Sequence, residues 1–218
     1  MRSRSTKALD LALVACAVLT IWAVLHRLTH SPEVTDGATA FEGWQQDLMF
    51  DRRIGSADAL YKLVVWFDYQ CPACRRFEGE VDLARQTLAD SVAVIYRHFP
   101  LSGHALAFEA AVAAECAREQ SRFPEIHRAL LASPLNGESL PLSSLMAQSN
   151  MPDSTSFRAC MSDPTSVARG AVRADLARIR TLNVHGTPAL QIGDRIATGG
   201  LPAGKLVERL REAADASR

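Results

Sequence analysis

Residues 61–88 read YKLVVWFDYQCPACRRFEGEVDLARQTL, and the reading of this stretch decides the fold. Tyr61–Tyr69 is β-branched and aromatic with no polar alternation, the pattern of a strand buried on both faces. Cys71-Pro72-Ala73-Cys74 follows, and then Phe77, Val81, Leu83 and Leu88 suit a helix. Ser91–Phe99 (SVAVIYRHF) is a second strand, closed by Pro100. Strand, helix, strand predicts a βαβ unit with a right-handed crossover and two parallel strands.

Downstream, the strand signal disappears between Leu101 and Asn183. HALAFEAAVAAECAREQ is a strong helix by propensity, rich enough in alanine to pack closely. Shorter helices are predicted near Pro124–Ala132, Leu140–Gln148 and Ser154–Met161. A longer one over Thr165–Leu182 starts behind Ser162-Asp163-Pro164. Strands return at Pro188–Ile192 and Arg195–Thr198 around a Gly193-Asp194 turn, and Pro202–Ala214 is a final amphipathic helix. Neither half-motif is large enough to hold a core alone, so the two must share one sheet. The expectation is an α/β domain over 58–218 with an all-helical insertion at about 101–183.

Upstream, residues 29–57 are broken by Pro32, Gly37, Gly43 and Gly55 and read as a tether with one short helix around Phe41–Phe50. Residues 1–28 combine Arg2, Arg4, Lys7 and Arg27 with the apolar run LALVACAVLTIWAVL, Leu11–Leu25. That is a signal anchor or transmembrane segment, with a cytoplasmic N-terminus and an exported remainder. A cleaved signal finds its small-x-small site, Ala38-Thr39-Ala40, about a dozen residues late. A lipoprotein signal at Cys16 conflicts with the apolar run that continues past it.

Composition narrows the functions. Lys+Arg and Asp+Glu are both 24, so no basic excess exists to hold nucleic acid. Five cysteines in an exported chain ask for pairing, and with Cys16 in the apolar run Cys71, Cys74, Cys116 and Cys160 remain. An oxidising compartment favours a structural Cys116–Cys160 disulfide. The alternative is two buried small hydrophobes that never meet.

Cys71 opens a helix, where unpaired backbone N–H groups and the positive end of the helix dipole stabilise a thiolate. It is therefore the candidate nucleophile, with Cys74 as the resolving thiol one turn inside the helix. A zinc site would need four ligands, and no second CxxC or His-rich knuckle is present, so no metal is expected. A purely structural Cys71–Cys74 bridge would close too tight a loop to add much stability. Gly199–Lys205 satisfies GxxxxGK, but Leu206 stands where a phosphate loop needs Ser or Thr.

Three stretches, LVVWFDYQCPAC, YRHFPLSGHALAFEAAVAAECA and HGTPALQIGDRIATGG, together resemble the DsbA-like thiol-disulfide oxidoreductases of the thioredoxin superfamily. The resemblance covers roughly residues 55–215. It implies a thioredoxin-like fold with the helical insertion, and it implies that Gly186-Thr187-Pro188 faces the disulfide with Pro188 cis. Thr187 and Pro188 would then pair with an extended substrate by β-augmentation. Strongly oxidising relatives carry His where this chain has Ala73, which implies a milder oxidant. Many also place a buried acid where this chain has Val65. Asp68, at the strand's end, is the candidate proton relay in its stead, with loop capping as the other reading.

The expected function is an exported thiol-disulfide oxidoreductase, acting as an oxidase on extended or unfolded protein substrates with cysteines. It would need a membrane thiol oxidase or reductase as redox partner and no cofactor, in the cell envelope. A reductase or isomerase of the same fold is the alternative. A non-redox peptide-binding or chaperone module with an incidental CPAC comes from a different class.

Overall fold

Seven consecutive residues, Tyr61–Phe67, form the central strand β3 because both of its faces are covered. Leu63, Val65 and Phe67 enter one apolar cluster and Val64 and Trp66 the other, which is why the strand lacks polar alternation. The computed structural model describes residues 39–48, 52–89 and 91–216, together with 17, 19, 20 and 22.

The helix α1, Pro72–Thr87, leads to β4, Val92–His98, which lies parallel to β3 with Val65 opposite Tyr96. The insertion follows as α2 (Ala107–Arg118), α3 (Phe123–Ala132), α4 (Leu142–Gln148), α5 (Ser154–Ser162) and α6 (Val167–Thr181). Strands β5 (Ala189–Ile192) and β6 (Arg195–Thr198) then pair antiparallel, and α7 (Ala203–Ala216) ends the domain. α1 and α7 cover the face carrying Leu63 and Val65, whereas Ile179 of α6 packs on the face carrying Val64 and Trp66. The thioredoxin-like α/β fold with a helical insertion is thus present.

Within the stretch expected as a tether, the described residues 39–48 and 52–57 instead add to the sheet. Strand β1, Thr39–Ala40, pairs with β6, and β2, Arg53–Ile54, pairs with β4, giving the order β1-β6-β5-β3-β4-β2. Between them lies a 3-10 helix, Trp44–Leu48, in place of the longer helix expected over 41–50. Two-residue strands carry no hydrophobic periodicity, so the sequence offers no local sign of them. The expected anchor falls on residues 1–28, which lie outside the described residues except for 17, 19, 20 and 22. Among the described residues no helix is long and apolar enough to cross a membrane.

Beside strand pairing and apolar contacts of Phe41, Leu48 and Ile54, buried charge ties the edge segment to the domain. Asp47 and Arg52 are fully buried. Asp175 of α6 takes ion pairs from Arg52 and from Arg97 at 2.7 Å, and accepts the His98 backbone N–H at 2.7 Å. Arg97 reaches Asp47 at 2.8 Å and lies 4.7 Å over the Trp66 ring; Arg178 closes on Asp47 at 3.0 Å. Glu115 of α2 meets Arg52 at 3.0 Å, and His98 and Arg118 at 2.8 Å each. Burial pushes the Glu115 carboxyl up, but hydrogen bonding and charge from His98, with Arg52 and Arg118, outweigh it and hold the pKa at about 2.

Within the insertion, α2 is buried along almost its whole length because its alanines let neighbours approach closely. Cys116 on α2 and Cys160 on α5 are disulfide-bonded, with Cα atoms 5.9 Å apart.

Urea unfolding midpoints test three of these contacts. Asp175→Ala removes the carboxylate shared by two buried guanidiniums and should cost about 3–5 kcal/mol. Arg178→Ala, at the partly open end of the same network, should cost about 1 kcal/mol or less. Replacing both Cys116 and Cys160 by alanine releases a long loop and should cost about 4 kcal/mol on chain entropy. A loss below 1 kcal/mol would show that the helices hold this geometry without the bond.

Candidate active site

The loop between β3 and α1 is shaped by Asp68. Its Oδ1 accepts the backbone N–H groups of Gln70 at 2.7 Å and Cys71 at 3.2 Å. Its Oδ2 accepts the Leu101 N–H at 2.9 Å and pairs with His104 Nδ1 at 2.7 Å. Both oxygens of this buried side chain are thus committed to tying two loops together. Its backbone N–H, not its carboxylate, approaches Cys74 Sγ, at 3.5 Å. The relay expected of Asp68 lacks a hydrogen bond to either thiol, and the contacts are those of a loop cap.

Cys71 occupies the N-cap of α1 with Pro72 at the first helical position. Both thiols are unbonded; Cys71 is 7% exposed and Cys74 not at all. The Cys71 thiol is lowered from 9.0 to about 5, chiefly by the Cys74 side chain donating to its sulfur. Burial opposes this, while the Thr187 side chain and the backbone N–H groups of Cys74 and Ala73 add to it. Cys74 moves the other way: burial, then its bond to Cys71, push its thiol far up. Two sulfurs of one turn are thus shifted in opposite directions.

Across from them the Thr187–Pro188 peptide bond is cis. The Thr187 carbonyl lies 3.7 Å from Cys71 Sγ. This loop is fixed from behind, where the Gly199 N–H donates to the Pro188 carbonyl at 2.7 Å. Gly200 must lack a side chain, because a Cβ there would sit 2.6 Å from the Phe77 ring on α1.

Two supporting residues have no sequence signature. Gln70 donates to the Leu135 carbonyl at 2.9 Å and accepts the Leu106 N–H at 2.8 Å. Arg75 donates to the carbonyls of Tyr69, Leu130, Leu131 and Ser133, capping the C-terminus of α3. Their partners lie up to 65 residues away, beyond any local pattern. Among the described residues no group of three or more His, Cys, Asp or Glu is placed to hold a metal ion.

A thiolate and a protonated thiol at the head of one helix, faced by a cis-proline loop across a mixed sheet, define the thioredoxin class of dithiol proteins. A family model described as Thioredoxin matches residues 49–211. The chain belongs to the thioredoxin family.

Solved structures agree on the fold. The catalytic domain of Proteus mirabilis ScsC is 25% identical with a TM-score of 0.62, covering 79% of this chain and 95% of that one. A thioredoxin-like oxidoreductase from Silicibacter pomeroyi DSS-3 is 24% identical with a TM-score of 0.63, covering 78% and 95%. The thiol-disulfide exchange protein alpha-DsbA2 from Wolbachia pipientis is 22% identical with a TM-score of 0.62, covering 80% and 92%.

Curated relatives match by a part only. An Na(+)/H(+) antiporter NhaA 1 from Mycobacterium sp. (strain KMS) is 42% identical over 79 residues, 36% of this chain and 13% of that protein. An NhaA 3 from Salinispora tropica is 34% identical over 145 residues, 65% of this chain and 21% of that protein. The chain thus spans between about an eighth and a fifth of the length of these relatives.

Folding lowers the Cys71 pKa from 9.0 to about 5, so its thiolate stabilises the reduced form fully above pH 9. That stabilisation is lost as the pH falls through about 5. The gap in unfolding free energy between reduced and oxidised protein should therefore shift toward the reduced form as the pH rises across this window. Cys74→Ala removes the largest stabilising contact, and the inflection in the pH profile of Cys71 alkylation should move up. An inflection that stays put would leave the helix terminus as the main cause.

Proposed function

We propose that this chain is a protein thiol-disulfide oxidoreductase in which Cys71 and Cys74 exchange a disulfide with the cysteines of extended protein substrates, acting as an oxidase. The observation that carries this reading is the opposed pair of thiol states, with Cys71 near 5 and Cys74 held protonated. Membership of the thioredoxin family and the likeness to a protein named for thiol-disulfide exchange support it.

In the oxidised enzyme a substrate thiolate attacks Cys71 Sγ. The Cys71–Cys74 bond breaks, and Cys74 leaves as a thiolate that takes up a proton, as its buried position demands. A second substrate thiolate then attacks the substrate sulfur of the mixed disulfide and expels the Cys71 thiolate. Two electrons have moved from substrate to enzyme, and one substrate disulfide has formed. The low pKa makes Cys71 a good leaving group in this last step and stabilises the reduced enzyme, which biases the couple toward its reduced state and so toward oxidising the substrate. Ala73 in place of His leaves one source of that bias out, so the oxidant is a mild one.

The Thr187 backbone beside the cis Pro188 receives the substrate as an added strand, placing its cysteine beside Cys71. Asp68 serves as the anchor of the active-site loop. Reoxidation is the task of a membrane thiol oxidase, and the run at Leu11–Leu25 anchors an exported catalytic domain beside it. The likeness to a periplasmic thioredoxin-like protein from Salmonella enterica serovar Typhimurium is consistent with export.

The test is the reduction potential of the Cys71–Cys74 couple in glutathione buffers, with thiols counted by alkylation. A value of about −120 to −180 mV supports the oxidase, whereas about −270 mV makes the same site a reductase. Cys71→Ser should abolish disulfide transfer to a reduced, unfolded substrate. Unchanged transfer by this variant would refute the assignment.

A further inference from the structure

Asp68 holds a histidine as well as the active-site loop. Its Oδ2 pairs with His104 Nδ1 at 2.7 Å, while its two oxygens accept the backbone N–H groups of Gln70, Cys71 and Leu101. Three N–H donors already converge on this carboxylate, so it is an acceptor towards the ring too, and the shared proton sits on Nδ1. The neutral imidazole then carries its lone pair on Nε2. Among the described residues Nδ1 is the one ring nitrogen of His104 in a hydrogen bond, and the side chain is 27% exposed. A ring fixed by a buried carboxylate, with its basic nitrogen open, has the arrangement of a general base.

The other described histidines lack this combination. His98 meets a carboxylate, Glu115, but is buried with it. His127 is buried against the Tyr69 hydroxyl, and the exposed His185 meets the side-chain oxygen of Asn183. The backbone also places His104. Its N–H donates to the Leu101 carbonyl at 3.0 Å, and the Leu106 N–H donates to Gln70 Oε1 at 2.8 Å. The 101–106 loop is therefore tied to residues 68 and 70, just ahead of Cys71. Ser102, Gly103 and Ala105 around the histidine are small and exposed, which leaves room for a bound chain. One carboxylate thus spans from the imidazole to the Cys71 N–H, at 3.2 Å, and the Thr187 carbonyl stands at the Cys71 sulfur.

We propose that His104 is the general base of the exchange reaction, taking the proton of the substrate thiol that attacks Cys71; this rests on the disulfide exchange proposed for Cys71 and Cys74. As the substrate sulfur bonds to Cys71 Sγ, its proton passes to His104 Nε2. The Cys71–Cys74 bond breaks with its electron pair on Cys74, and the imidazolium stays paired with Asp68 until it gives its proton to solvent. Neither enzyme sulfur can serve as this base, because the two are bonded to each other when the substrate arrives. Asp68 orients the ring and keeps its own contacts throughout. The gain has a ceiling. A free thiol of pKa about 8.5 is only a few per cent thiolate at about pH 7, so complete ionisation multiplies the attacking form by about thirtyfold.

The experiment mixes the oxidised full chain with an excess of an unstructured peptide carrying one cysteine, at about pH 7, and follows the mixed disulfide at Cys71 by acid quench and mass. His104→Asn and His104→Ala should each slow its formation by about tenfold to thirtyfold. Asparagine can still donate to Asp68, so His104→Asn should keep the urea unfolding midpoint without recovering the rate. The same peptide with selenocysteine, whose selenol is already ionised, needs no base, and wild type and variants should react with it alike. A rate recovered by asparagine, or an equal deficit with the selenocysteine peptide, would overturn the proposal and leave His104 as a loop tie. A wild-type chain that forms no mixed disulfide would sink the exchange reaction itself. Equal rates in wild type and His104→Asn would sink the base alone.

Discussion

Asp175 is the point on which the architecture turns. Its carboxylate meets Arg52 from the N-terminal edge segment, Arg97 from β4 and the backbone of His98, all within the protein interior. Buried charges are tolerated only when their partners are complete. The segment carrying Asp47 and Arg52 therefore has one place to go, and the insertion has one orientation on the sheet. Glu115 repeats the arrangement from α2, gathering Arg52, Arg118 and His98. The two carboxylates share Arg52 and so couple the insertion to the sheet at two points.

The active site inherits its geometry from that coupling. His98 ends β4 and is fixed by both networks, and the loop that follows it supplies Leu101 and His104 to Asp68. Asp68 in turn holds the backbone just before α1, so Cys71 arrives at the N-cap with its N–H already engaged. Arg75 and Gln70 fasten the same turn to α3 and to the loop beyond it. A thiolate needs donors held still around it, and these contacts hold the donors still. The chemistry resides in two residues, but the positions of those residues are set by the sheet and the insertion together.

The central βαβ unit, the helices of the insertion and the closing hairpin were legible because each carries its own periodicity or its own turn residues. The dithiol was legible for a different reason: CPAC between an apolar strand and a helix has only a narrow range of uses. Asp68 was visible with two roles open, relay or loop cap, and its contacts to residues 70, 71, 101 and 104 are those of the cap. Strands β1 and β2 were invisible, being two residues long and held by pairing with β6 and β4.

By itself, then, the sequence determined the order of strands and helices from β3 onward, the class of chemistry at Cys71 and Cys74, and the presence of a helical insertion. Local propensity and apolar spacing suffice for those, because each is decided within a turn or a strand of the chain. Only the tertiary structure decided which charges are buried together, what Asp68 holds, and why Cys71 and Cys74 differ so far in acidity. Those are matters of desolvation and of donors brought from distant segments, and neither exists until the chain has folded around them.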